Sequence, residues 1–213
     1  MPTPFQIYSW GELRNRVSVP REEQSVFFVR HGESIANRNG RIAGHRNTRL
    51  TDHGREQARQ VGDKLPTSIA AAYSSDLSRA RETAVLALAG RGLPSPLGID
   101  PRIREVAQGE LEGKMRRPIP QYAAGDIDYA PRGGESYRTA AQRVASFLID
   151  LCALARHQQF EGPVVVFTHA GVMRVARCLC TAGAHPRQLF EATPGNGDLF
   201  AARLSSLSIH EAW

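Results

Sequence analysis

Lysine is nearly missing from this 213-residue chain: of its 27 basic residues, only Lys64 and Lys114 are lysines. That scarcity excludes a lysine-rich tail, and the arginines that carry the charge are scattered rather than gathered in a block. The net charge of +6 and the pI near 9.7 therefore describe a diffuse basic surface. Such a surface is either ordinary solvated arginine or an attractor of small anions, and neither nucleic acid nor membrane is expected as a partner. Cysteine is scarce and odd in number, Cys152, Cys178 and Cys180, which excludes an even disulfide framework and predicts reduced, buried thiols. Cys178-x-Cys180 has no His or Cys partners at zinc-site spacing, so no metal is expected there. Long apolar runs are also missing. None approaches the ~18 residues of a spanning helix, and Glu12, Arg14, Arg16 and Arg21 break up the first two dozen residues, so no signal peptide is expected and the cytoplasm is the expected location. Two chemistries lack their signatures: there is no Gly-x-x-x-x-Gly-Lys-Ser/Thr, since 109–114 has the wrong spacing, and there is no His-Glu-x-x-His.

What is present alternates between strand-like and helix-like patterns. Residues 25–29, 69–73 and 163–167 read as buried strands, with late strands at 199–204 and 207–209. Helices are predicted over 52–65 with Thr51 as cap, over 77–88, over 136–156 and over 171–180. Strands separated by helices imply right-handed crossovers. The fold class is therefore α/β, a three-layer α/β/α sandwich with a mostly parallel central sheet. Residues 1–24 form an N-terminal extension, in which Ser9-Trp10-Gly11-Glu12 has capping-box form and Pro20 closes a short helix. The extension is expected to pack on the domain formed by 25–213, with a homodimer contact or a cover over the pocket as alternatives. Between Gly109 and Gly134 the periodicity breaks down amid Pro118, Pro120, Gly125 and Pro131; irregular segments of this kind are binding loops, and substrate selectivity is placed here.

Two strands end on histidine. Val26-Phe27-Phe28-Val29 runs into Arg30-His31-Gly32-Glu33, and 163–167 runs into Thr168-His169-Ala170-Gly171. The carboxyl ends of parallel strands are where an open α/β sheet binds ligands, so the two histidines are expected in one pocket. An imidazole can attack phosphorus and carry the phosphoryl group covalently. An adjacent arginine, Arg30, matches two phosphate oxygens at once, and Gly32 would let the backbone approach the bound group. The helix that starts after His169 would add backbone donors to the same pocket.

An ordered series of motifs extends these two. Arg30-His31-Gly32-Glu33-Ser34 is followed by Asn37, Gly44 and Leu50-Thr51-x-x-Gly54-x-x-Gln57-Ala58. Then come Ser74-Ser75-Asp76-Leu77-x-Arg79-Ala80, Arg104-Glu105-x-x-x-Gly109-x-x-Glu112-Gly113, Gly133-Gly134-Glu135-Ser136 and Thr168-His169-Ala170-Gly171. From Val26 to Leu204 the chain resembles the histidine phosphatase superfamily, in its phosphoglycerate mutase-like branch. The resemblance implies that His31 is the nucleophile and that Glu105 is the general acid, which must hold a proton that burial favours and neighbouring cations oppose. It also implies that Arg30, Arg79, Asn37 and His169 bind the phosphate, and that neither a metal nor another cofactor is needed. Glu33 and Glu112 rank below Glu105, and Glu135 is expected to cap a helix or orient a loop.

The activity this implies is hydrolysis of a small phosphorylated metabolite through phosphohistidine at His31. A cofactor-dependent phosphoglycerate mutase is the alternative, but Val106-Ala107-Gln108-Gly109 lacks the Arg and Tyr that mutases carry after the acid, while Arg116-Arg117 echoes their tandem arginines. A non-catalytic phosphate-binding module would be expected to lack at least one of His31, His169, Arg30 and Arg79; all are present. Ala43 and Asn47 depart from the residues common in the family, and the departure bears on substrate contacts.

Overall fold

The computed structural model describes residues 8–17, 24–93, 95–158, 160 and 162–208. In chain order the elements are α1 (Trp10–Arg16), β1 (Ser25–Arg30), α2 (Ile35–Arg38), α3 (Asp52–Lys64), β2 (Ala71–Ser74), α4 (Ser78–Ala87), β3 (Gly98–Ile99), α5 (Pro120–Ala123), α6 (Tyr137–Gln158), β4 (Val164–Thr168), α7 (Ala170–Leu179) and β5 (Leu199–Arg203). The sheet has the order β3-β2-β4-β1-β5. All pairs are parallel except β1 with β5, which gives the predicted three-layer, mostly parallel architecture.

The sheet is apolar on both faces because both are covered. Along β4, Val164, Val165, Val166 and Phe167 are all fully buried. Val164 and Val166 belong to the core shared with α6 and α7, whereas Val165 and Phe167 belong to the core shared with α3 and α4. Each such side chain contributes roughly 1.5–3 kcal/mol relative to exposure. Alternation along β1 follows the same rule: Val26 and Phe28 face one layer and Val29 the other.

Local chemistry sets the helix boundaries. Thr51 caps α3, its hydroxyl accepting from the Gly54 amide at 2.9 Å. The predicted capping box at the N-terminus is present, with Glu12 N to Ser9 Oγ at 3.3 Å and Ser9 N to Glu12 Oε2 at 2.7 Å. Leu13 of α1 is fully buried in the core shared with α6, and Arg16 pairs with Asp150 at 3.7 Å, so this helix packs on the domain. Pro20 lies outside the described residues.

One expectation is corrected, and two short elements are added. No strand forms at 207–208: Leu204–Ser206 is a 3-10 turn that carries the chain off the sheet, and Leu207 is instead buried in the core; Ile209 lies outside the described residues. The edge strand β3 and the one-turn α2 were not anticipated, since two and four residues are too short to show a period. The thiols of Cys152, Cys178 and Cys180 are free and buried. Burial pushes Cys180 up to about 12, leaving an inert thiol. Among the described residues no helix is long and apolar enough to cross a membrane.

Candidate active site

Parallel register brings the two histidine loops together. Arg30 pairs with Thr168 across β1 and β4, and the His31 amide donates to the Thr168 carbonyl at 3.0 Å. Both strands thus end at one level, and the His31 and His169 rings sit edge to face with centroids 5.1 Å apart.

The surroundings of His31 specify its tautomer. Its Nδ1 lies 2.7 Å from the carbonyl oxygen of Gly32 and must donate to it, which leaves Nε2 bare. Arg79 Nε–H donates to that Nε2 at 3.2 Å. Burial, then the positive charges of Arg79 and Arg30, hold His31 well below its ordinary range, so the ring is neutral near pH 7 and its unprotonated Nε2 is the atom that accepts from Arg79. His169 is fully buried and is likewise held low, first by burial and then by Arg79. Its Nε2 is 2.9 Å from Ser75 Oγ, and Nδ1 has no hydrogen-bond partner among the described residues. His169 is not among the residues that line the cleft; its ring meets that of His31, which is.

Arg30 and Arg79 flank His31, 6% and 1% exposed. Arg79 NH1 and NH2 donate to the carbonyls of Arg46 at 3.0 Å and Gly44 at 2.8 Å, so backbone dipoles fix the guanidinium. Burial pushes Arg79 down to about 10; it still carries its charge at neutrality. Arg30 NH1 donates to the Pro194 carbonyl, and its Nε has no partner among the described residues. Asn37 closes a capping box with Ser34, its Oδ1 accepting from the Ser34 amide at 3.1 Å and from Asn196 Nδ2 at 3.2 Å. These bonds occupy the carboxamide oxygen, leaving the NH2 end as the donor, and Asn37 lines the cleft.

Glu105 lines the same cleft and is half-buried. Its Oε1 accepts from the amides of Val106 and Gly171, both at 3.0 Å. Gly171 stands in the first turn of α7, so the helix N-terminus does bring a backbone donor to the pocket, where it serves the Glu105 carboxylate. A Cβ on Gly171 would stand 2.5 Å from that Oε1; glycine is what admits the contact. The other two carboxylates are committed elsewhere. Glu112 Oε1 accepts from the amides of His45 at 2.8 Å and Gln108 at 3.1 Å, and Glu33 Oε1 accepts from Thr51 Oγ1 at 2.7 Å.

The cleft holds about 370 Å³, and its outer part is lined by Arg116, Arg117, Ile119, Tyr122, Arg174 and Phe190. The irregular segment after Gly109 thus supplies much of the wall, as its lack of period implied. Arg174 was not singled out in the sequence. It is held by Tyr137 Oη at 3.2 Å and the Ala192 carbonyl at 3.0 Å, and nothing local distinguishes it from other helical arginines. Two assignments change. Gly32 makes room for protein rather than ligand, since a Cβ there would lie 2.1 Å from the Gly54 carbonyl oxygen. Asn47 accepts from the Ser78 amide at 3.0 Å; it caps α4, whose preceding residue Leu77 offers no side-chain cap.

Comparison with known proteins agrees with this geometry. The chain is 33% identical over 157 residues to an adenosylcobalamin/alpha-ribazole phosphatase of Escherichia coli strain K12, covering 70% of this chain and 74% of that protein. It is 30% identical over 199 residues to a metal-independent phosphoserine phosphatase of Arabidopsis thaliana, covering 87% and 79%. Its fold superposes on a mycobacterial glucosyl-3-phosphoglycerate phosphatase solved with VO3, with a TM-score of 0.74 and 27% identity over 84% of this chain and 92% of that one. The sequence profile of the histidine phosphatase superfamily (branch 1) matches residues 26–206, and the chain belongs to that family.

Proposed function

We propose that the protein is a metal-independent phosphatase that hydrolyses a small phosphomonoester through a phosphohistidine at His31. The observation that carries this reading is the unprotonated Nε2 of His31, which accepts from Arg79 and is set between two buried arginines at the floor of a cleft. In the first step Nε2 bonds to phosphorus, the bond from phosphorus to the ester oxygen breaks, and Glu105 gives its proton to the departing oxygen. In the second, water attacks phosphorus, the N–P bond breaks, and the water proton returns to Glu105. The sum is ester plus water to alcohol plus phosphate. Arg30, Arg79, Asn37 and His169 hold the phosphoryl oxygens. The unpartnered Arg30 Nε and His169 Nδ1 are buried polar atoms that an oxyanion would satisfy.

Residues 25–213 form the catalytic domain in this reading, residues 1–24 an extension upon it, and the cytoplasm is its place of action. A second reading, phosphoglycerate mutase, draws on Arg116 and Arg117, which stand in the cleft wall where a second anionic group would meet them. One experiment separates the two. Phosphate release from a panel of phosphomonoesters in EDTA, lost in His31→Ala, is the phosphatase outcome; isomerisation of 3-phosphoglycerate on adding its bisphosphate, without release, is the mutase outcome.

A further inference from the structure

We propose that Arg143 is the positioning residue of the general acid, fixing Glu105 through the backbone that carries it. The inference rests on the phosphatase reading above. Arg143 stands on α6 with its side chain 18% exposed, and it does not line the cleft. Its NH1 donates to the carbonyls of Arg102 at 2.6 Å and Arg104 at 2.8 Å, and its NH2 donates to the carbonyl of Glu105 itself at 3.1 Å. The same guanidinium grips Glu135 in bidentate fashion, NH2 to Oε1 at 2.6 Å and Nε to Oε2 at 3.0 Å.

Those five bonds match the five N–H donors a guanidinium has. None is left for a phosphate, so this arginine is not a substrate clamp. Glu135 extends the grip: its Oε1 accepts from the Ala107 amide at 2.9 Å. His45 Nε2 donates to the Glu105 carbonyl at 2.7 Å from the other side. The backbone is therefore held at residues 102, 104, 105 and 107, on both sides of the acid. Only a planar, fully charged fork reaches five acceptor atoms on four residues at once; lysine presents a point charge. A general acid has to lie within hydrogen-bond reach of the leaving oxygen, and a misplacement of about 1 Å costs on the order of 100-fold.

The test uses leaving groups. A 4-nitrophenyl ester departs as a stable anion and needs little protonation, whereas an alkyl phosphate needs the proton. kcat/KM reports the first phosphoryl transfer, so it isolates that step. For Arg143→Lys the expected result is a drop of about 100-fold on the alkyl ester and under about threefold on the aryl ester. Glu105→Gln should show the same pattern, and the double variant no further loss, because both changes remove one function. Thermal melting checks that each variant folds; Glu135→Gln, which loosens the grip without touching the carbonyl bonds, gives a second variant with the same expected selectivity. Equal losses on both esters, or losses that multiply in the double variant, would overturn the inference while leaving the phosphatase reading intact. A wild type that hydrolyses neither ester overturns that reading, and the inference with it.

Discussion

The floor and the rim of the cleft carry the same kind of charge in opposite physical states. Arg30 and Arg79 at the floor are almost wholly buried and tied to backbone carbonyls contributed by distant loops. Arg116 and Arg117 at the rim are exposed, and neither forms an ion pair among the described residues. Burying a guanidinium costs stability unless its donors are met, so the floor is expensive and rigid, and the rim is cheap and adaptable. On the proposed mechanism this division gives chemistry to the floor and choice of substrate to the rim. The lesson is that an arginine's environment, more than its presence in a cleft, says what it does.

Substitutions test that division in order of severity. His31→Ala removes the nucleophile and should lower kcat for phosphate release by at least about 10⁴-fold, measured with a discontinuous phosphate assay and a long incubation. Arg79→Lys keeps a positive charge but not the Nε bond to His31, and should cost on the order of 10²–10³ in kcat/KM; a loss under tenfold would erase the distinction between floor and rim.

Acidification probes the floor through stability. His31 and His169 are both held well below 6.5 in the fold, chiefly by burial, whereas the unfolded chain protonates them near that value. Stability is therefore fully present above about 6.5 and falls as pH drops below it, by up to about 1.4 kcal/mol per pH unit for each group. Urea midpoints at pH 7 and pH 5.5 should show the fall, and replacing either histidine by Asn should shrink it. On the same grounds, no break near 6.5 from protonation of the nucleophile should appear in kcat/KM. At the rim, Arg116→Ala and Arg117→Ala should each raise KM by roughly tenfold or less with kcat nearly unchanged, and the effect should weaken as salt rises. A change in kcat larger than the change in KM would move those residues into the chemical machinery.

Much of the floor was legible in the sequence because strand ends are. An apolar run stopping at Arg30-His31, and another stopping at Thr168-His169, place residues on the sheet by register alone, and Thr51 announces its helix through a hydroxyl three residues before Gly54. The role of Arg143 was not legible. Its position on the polar side of a long amphipathic helix looks like solvent-facing charge, and its acceptors are carbonyls some 40 residues away in the chain. Asn47 failed in the same way, because the helix it caps begins 31 residues later. Local pattern reports period and caps; it is silent about contacts between segments distant in the chain, and the wall of the cleft is assembled from such segments.

The segment just before β5 has a consequence for when the pocket comes into being. The Pro194 carbonyl holds Arg30 from 164 residues away, Asn196 reaches both the His31 carbonyl and Asn37, and the Asp198 carbonyl receives the Arg30 amide. Arg30 and His31 are thus synthesised some 165 residues before the residues that fasten them. Contacts so distant along the chain are slow to close, and a nascent chain that stops short of Asp198 lacks part of the clamp whatever its other strands have done. Turnover at His31, on the proposed mechanism, would in this sense report that synthesis has passed Asp198.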